Sequence, residues 1–167
     1  MMKTVIFIRH AKSSWSDPSL SDRKRPLNKR GLRDAPFMAR LLRSQIKNID
    51  QIVSSPAKRA HTTAQYFAKA FEVDTTEIHL EPAIYMAFPE ALLQIIQNFD
   101  PSWNTVLFFG HNPAFTDIVN RFTEDYIENV PTCGMVEVKA KINDWDFFGT
   151  TNSTKVTNFQ YPKQYFT

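Results

Sequence analysis

Thr4-Val5-Ile6-Phe7-Ile8-Arg9-His10 is an apolar, partly β-branched run without polar alternation that ends in a cation and an imidazole. A strand with one face in water alternates; a strand apolar on both faces is the pattern of a parallel sheet covered on both sides. The design recurs at Thr105 to Phe109, followed by Gly110-His111-Asn112-Pro113, and more briefly at Asp50 to Ser54, followed by Ser55-Pro56. Between the first two runs along the chain, Leu32, Ala35, Met38, Ala39 and Leu42 recur at helical spacing. Pro36 interrupts that pattern, so the helix kinks there or starts close to it. Ser55-Pro56 and Asn112-Pro113 each set a capping residue before proline, predicting helices to about Phe71 and Phe122. Glu77 to Leu80 reads as a short strand and Pro89 to Phe99 as a helix. Met135 to Ala140 and Trp145 to Thr150 read as strands joined by a turn at Asn143-Asp144, and residues 151–167 as an edge strand or docked tail. This order predicts a three-layer α/β/α sandwich with a mostly parallel central sheet, as one domain over 1–167.

Composition narrows the function. Of 167 residues, 43% are hydrophobic and 13% aromatic, enough for a sizeable core. The longest apolar runs are four or five residues, against the ~20 of a membrane-spanning helix. Met-Met-Lys-Thr enters the first strand directly, so no signal peptide is expected. The single cysteine, Cys133, excludes an internal disulfide and a Cys-rich zinc module, which fits a cytoplasmic setting. Net charge is +3, but residues 1–60 carry 14 Lys and Arg against 4 Asp and Glu, whereas residues 61–167 carry 6 against 13. A basic half favours an anionic ligand. Without an interleaved aromatic platform or groove-reading motif, nucleic acid is not expected.

The three buried runs lead to Arg9-His10, to Arg59 in the first turn of the following helix, and to His111. Ligands of open α/β sheets bind beyond the carboxyl ends of the strands. A lone histidine at a strand end is more often structural than catalytic. Two arginines and two histidines at three equivalent junctions, with helices beginning nearby, instead suit a phosphate dianion.

At this point the residues resemble a family. Arg9-His10-Ala11 is similar to the Arg-His-Gly signature of the histidine phosphatase superfamily, whose fold is phosphoglycerate-mutase-like. Ser54-Ser55-Pro56-Ala57-Lys58-Arg59-Ala60-His61-Thr62-Thr63-Ala64 resembles its second motif and Gly110-His111-Asn112-Pro113 its third. Lys12-Ser13-Ser14-Trp15, with Asp22, Arg25-Pro26-Leu27, Arg30-Gly31 and Asp34-Ala35, is similar to the compact SixA branch of phosphohistidine phosphatases. The resemblance implies a cofactor-independent, metal-free phosphatase. His10 would be the nucleophile, with Arg9, Arg59 and His111 as catalytic, phosphate-holding groups and Ser16 as a further phosphate contact.

Two departures stand out. Ala11 replaces the signature glycine. Larger members carry a glutamate proton donor that falls near Ile84-Tyr85-Met86, where no carboxylate stands; Glu81 and Glu90 flank that stretch as candidates. The resemblance favours phosphohistidine on a protein, such as a histidine phosphotransfer domain, as substrate. The alternatives are a small phosphomonoester or a non-catalytic phosphate-binding module. His61 and His79 read as structural or rim residues, and no His or Cys spacing supports zinc.

Overall fold

β1 (Met2–Arg9) runs through the middle of a six-stranded sheet, parallel to β4 (Thr105–Gly110) on one side and antiparallel to β5 (Met135–Lys141) on the other. β2 (Gln51–Ser54) and the short β3 (His79–Leu80) extend the parallel part beyond β4. β6 (Lys155–Gln160) closes the other edge against β5, so the order is β3-β2-β4-β1-β5-β6. The computed structural model describes residues 1–166.

Each central strand is buried on both faces because helices cover both. Val5, Phe7, Val106 and Phe108 point toward α3 (Pro89–Gln97) and α4 (Ala114–Val119), packing with Leu92, Ile96, Phe115 and Ile118. Their neighbours Ile6, Ile8, Leu107 and Phe109 point the other way, toward α1 (Lys29–Gln45) and α2 (Lys58–Ala70), packing with Met38, Ala39, Ala64 and Phe67. Successive strand side chains alternate between faces, so an unbroken apolar run yields two cores and three layers. The three-layer, mostly parallel sandwich is the observed architecture. At the foot of β1, fully buried Lys3 donates from Nζ to the carbonyls of Pro101 and Trp103 and to Asn104 Oδ1, at 2.7–2.9 Å. Among the described residues no helix is long and apolar enough to cross a membrane.

Several local expectations are corrected. α1 runs from Lys29 through Pro36, so of the two alternatives the start near Pro36 is excluded, and its cap is Asn28, whose Oδ1 accepts from Gly31 N. Leu32, expected on the apolar stripe, is 47% exposed; the buried face begins at Gly31 instead. α2 starts at Lys58, beyond Ser55-Pro56, and α4 is a six-residue helix continued by a 3-10 turn at Asn120–Phe122. Trp145–Phe147 is a 3-10 turn, with no strand from Trp145 to Thr150; the strand that follows β5 and pairs with its outer side is β6 in the tail, in line with the edge-strand alternative for residues 151–167. Thr167 lies outside the described residues.

Candidate active site

β1 and β4 finish together. Arg9 lies opposite Gly110, and His10 N donates to Gly110 O at 3.1 Å. The next residues, His10 and His111, therefore leave the sheet side by side, with ring centroids 5.2 Å apart. β2 pairs with the other edge of β4, and Ser55 N donates to Phe109 O, which brings Ser55 alongside His111. Beyond β1 the chain turns toward the α1–α2 face, beyond β4 toward the α3–α4 face. Adjacent parallel strands whose connections diverge leave a crevice at their carboxyl ends. Glycine is required at 110, because a Cβ there would sit 2.5 Å from the Phe115 ring, on which the start of α4 folds back.

His10 is 7% exposed, and its Nδ1 lies 2.7 Å from the Ala11 carbonyl. A carbonyl can only accept, so Nδ1 carries the proton and Nε2 keeps a free lone pair. Burial pushes the imidazole pKa well below its ordinary value; the Ala11 bond opposes this, and the nearby His111, Arg59 and Arg9 reinforce it. The ring is neutral at pH 7. That is the protonation state of a nucleophile.

His111 is held by a 2.8 Å hydrogen bond between Nε2 and Ser55 Oγ. Burial, then the charge of Arg59, lowers its pKa to about 4, with Asp22 pulling the other way. Arg59 reaches in from the first turn of α2, with Nη1 donating to the Asp22 carbonyl at 2.7 Å and Nη2 to Asp22 Oδ2 at 2.9 Å. Arg9 donates from Nη1 to Val130 O, and burial, then Arg30 and Arg59, lowers its pKa. Arg9 Nε and His111 Nδ1 are buried without hydrogen-bond partners among the described residues. Unmet buried donors and acceptors are uncommon and call for an explanation; here both belong to the two groups flanking His10. Thr63 ties the site together: its Oγ1 accepts from Ala11 N at 3.0 Å and donates to Arg59 O at 2.7 Å.

The four principal residues expected from the sequence thus converge. Other expected residues do not join them. Ser16 is exposed, and its hydrogen bonds run to Ser14. Glu81 caps the turn at Pro82–Ile84 by accepting from Ala83 N, and Glu90 pairs with Arg121 across α3 and the 3-10 turn after α4. His79 is exposed, and His61 lies half-buried on α2. The carboxylate at the site is Asp22, to which no role was assigned from sequence: Tyr85, Arg59 and Arg25 all bond to it. Arg25 in turn donates to Ser13 Oγ and Ser14 O and covers the Trp15 ring at 3.2 Å, fixing the loop between β1 and α1. The signals in the sequence are its place in the SixA-like stretch and the cluster of charges at 22–25 beside the first motif. Among the described residues no group of three or more His, Cys, Asp or Glu side chains is gathered as a metal site. The Cys133 thiol is buried, and burial pushes its pKa up.

Residues 5–84 match the sequence profile of the histidine phosphatase superfamily, branch 1. An uncharacterised chloroplastic protein of Arabidopsis thaliana is 30% identical over 154 residues, covering 86% of this chain and 69% of the plant protein. The chain belongs to the histidine phosphatase superfamily. An uncharacterised Mycobacterium tuberculosis protein is 31% identical over 107 residues, 64% of each chain. Among solved structures, one described as a SixA-type phosphohistidine phosphatase from Agrobacterium tumefaciens superposes with a TM-score of 0.79 at 26% identity, covering 96% of this chain and 98% of that one. A SixA protein histidine phosphatase complexed with tungstate shares the fold, with a TM-score of 0.79 at 18% identity over 96% of this chain and 98% of that one. In this chain His10 and His111 follow the ends of β1 and β4, and Arg59 stands in the first turn of α2.

Proposed function

We propose that this protein is a cofactor-independent phosphatase that works through a phosphohistidine on His10 and acts on phosphohistidine carried by a protein. The observation that carries this reading is His10 itself: a buried, neutral imidazole with its proton fixed on Nδ1 and its neighbours all cationic or hydrogen-bonding groups. Nε2 attacks phosphorus in line; the bond from phosphorus to the leaving imidazole breaks as the bond to Nε2 forms. Water then attacks the phosphoenzyme, releasing inorganic phosphate and returning the electron pair to Nε2. Arg9 and Arg59 hold equatorial oxygens through planar guanidinium forks, and His111 adds a donor toward the developing charge. Such electrostatic positioning is the main work in phosphoryl transfer, and losing one such donor costs on the order of 100-fold or more. The tungstate in the SixA relative, an oxyanion of phosphate-like shape, supports an oxyanion site in this fold.

A protein substrate is favoured by the surroundings. Trp15, Met86 and Phe88 are 73%, 80% and 78% exposed on the loops flanking the crevice. Large exposed apolar side chains grouped around a site are typical of surfaces that meet another macromolecule. The test is to incubate the protein with radiolabelled phosphohistidine peptide and quench. Label should appear on the protein, survive base, be lost in acid, and be absent from His10→Ala. Acid-stable label, or undiminished label in that variant, would refute the nucleophile.

A further inference from the structure

Arg9 also lines a groove of about 420 Å³, within the ~300–1,000 Å³ range of ligand sites. Its charged lining is Arg9, Lys12, Arg30, Arg33, Lys163 and Asp34. Asp34 is the one carboxylate among them, and its side chain is 2% exposed. Arg33 takes Oδ1 at 2.8 Å, and Arg30 stands 3.9 Å from Oδ2 while donating to Thr132 Oγ1. Among the described residues no carboxylate lies within ion-pair distance of Arg9, Lys12 or Lys163. Five cations among the described residues therefore line the groove with one buried anion. Close approach of the backbone builds this wall: a Cβ at Gly31 would meet Lys12 O at 2.3 Å, so glycine lets the start of α1 bring Arg30 against the segment that follows His10.

We infer that this groove binds acidic side chains of the substrate protein flanking its phosphohistidine, as an anion subsite continuous with the phosphate site through Arg9. The inference rests on the phosphohistidine reading above and adds the sequence that the enzyme selects. Cations held together in excess of their counter-ions raise the local concentration of anionic partners and speed their arrival. They also come from three separate places, the end of β1 with the turn after it, the first turns of α1 and the turn at Pro162–Gln164. A second phosphate would need donors converging on one point. Several carboxylates on one peptide segment fit cations contributed by separate elements, and Arg33 with Asp34 already shows the pairing within the groove.

Two phosphohistidine peptides, one flanked by Glu and Asp and the other by Gln and Asn, test this beside an aryl phosphate that has no flanks. At low ionic strength kcat/KM should favour the acidic peptide by about tenfold, the sum of a few exposed pairs. At about 0.5 M salt the advantage should shrink to about twofold or less. Lys12→Gln with Lys163→Gln should remove most of the preference while aryl phosphate turnover changes by less than about twofold. Equal kcat/KM for the two peptides at low salt, with the aryl phosphate still turned over, overturns the inference. So does a preference confined to inorganic pyrophosphate over phosphate as inhibitor, which would make the groove a site for small bisphosphates. If no phosphorylated compound is turned over, the phosphatase reading fails by itself. Fluorescence anisotropy of the unphosphorylated peptides then decides the groove: tighter binding of the acidic one, lost in the double variant, upholds it, and equal binding ends it.

Discussion

Asp22 Oδ2 accepts hydrogen bonds from both Tyr85 Oη, at 2.6 Å, and Arg59 Nη2, at 2.9 Å. One loop carboxylate therefore joins the arginine at the start of α2 to the tyrosine that stands where a catalytic acid was sought. The Tyr85 hydroxyl, then Arg59 and Arg25, hold the Asp22 carboxyl down at about 2, so it is an anion throughout the working range. An anion fixed on Arg59 stands in the path of an arriving phosphate dianion.

Removing that charge should strengthen oxyanion binding. Asp22→Asn keeps the main-chain carbonyl that Arg59 Nη1 uses and a side-chain oxygen for Tyr85. The inhibition constant for vanadate should fall on the order of tenfold at low salt, and less as salt screens the repulsion. Weaker vanadate binding in the variant would show instead that Asp22 serves chiefly to orient Arg59.

The two site histidines set the response to acid. An unfolded histidine titrates near ~6.5, whereas the fold holds His10 far below that and His111 at about 4. As pH falls through ~6.5 the unfolded chain takes up protons that the native state refuses, so stability declines on acidification. The decline belongs to the interval from ~6.5 down to about 4; the depressed Asp22 adds a separate loss only below ~4, approaching 2. Denaturant titrations at several pH values should show this slope, flattened in His111→Gln. Equal stability at pH 7 and pH 5 would mean that the native histidines are charged.

Thr63 couples the first two motifs through one hydroxyl. Thr63→Val leaves Ala11 N without its acceptor and Arg59 O without its side-chain donor, in a fully buried position. The expected loss is about 1–3 kcal/mol in chemical denaturation, with Thr63→Ser restoring most of it. A loss under ~0.5 kcal/mol would show that the loop carrying Ala11 is held by other contacts.

How much of this was legible in the sequence follows from which forces are local. The unbroken runs at Thr4 to Ile8 and Thr105 to Phe109 are readable because burial on both faces leaves a compositional mark. Their terminal Arg9, His10 and His111 are placed at one crevice by topology alone. Trp145 to Thr150 misled because aromatic richness resembles a strand. Trp145 and Phe148 are buried while Phe147 is 53% exposed, which is the three-residue period of a 3-10 turn. Leu32 misled in the opposite sense, since the face of α1 is set by Gly31 seating against Lys12, a contact no periodicity reveals. Asp22 is marked in the sequence by the SixA resemblance but has no role there, because its partners Arg59 and Tyr85 are 37 and 63 residues away, and a loop carboxylate carries no local signature of a long-range bond.

The choice of leaving group is the sharpest consequence of that carboxylate. An alkoxide leaving phosphorus is a strong base and needs a positioned general acid near neutral pH. Asp22 is near the right place, but at about 2 it carries no proton to give. Burial, then its hydrogen bond to Asp22, raises the Tyr85 pKa, so its hydroxyl keeps its proton. Glu81 is spent on capping Ala83 N, and Glu90 on Arg121. Phosphohistidine needs less help, because its P–N bond is labile and a protonated imidazole departs readily. Formation of the phosphoenzyme should therefore slow steeply as leaving-group pKa rises, with phosphohistidine and activated aryl phosphates turned over and simple alkyl phosphates slower by on the order of 100-fold or more. Glu81→Gln and Glu90→Gln should each leave phosphohistidine turnover within about twofold, because both side chains are engaged outside the crevice. Rapid-quench rates across a series of esters of graded leaving-group pKa measure the slope. A flat series in the native protein that turns steep in Glu81→Gln, Glu90→Gln or Asp22→Asn would identify that residue as a working acid, and the selectivity for phosphohistidine would then need another cause.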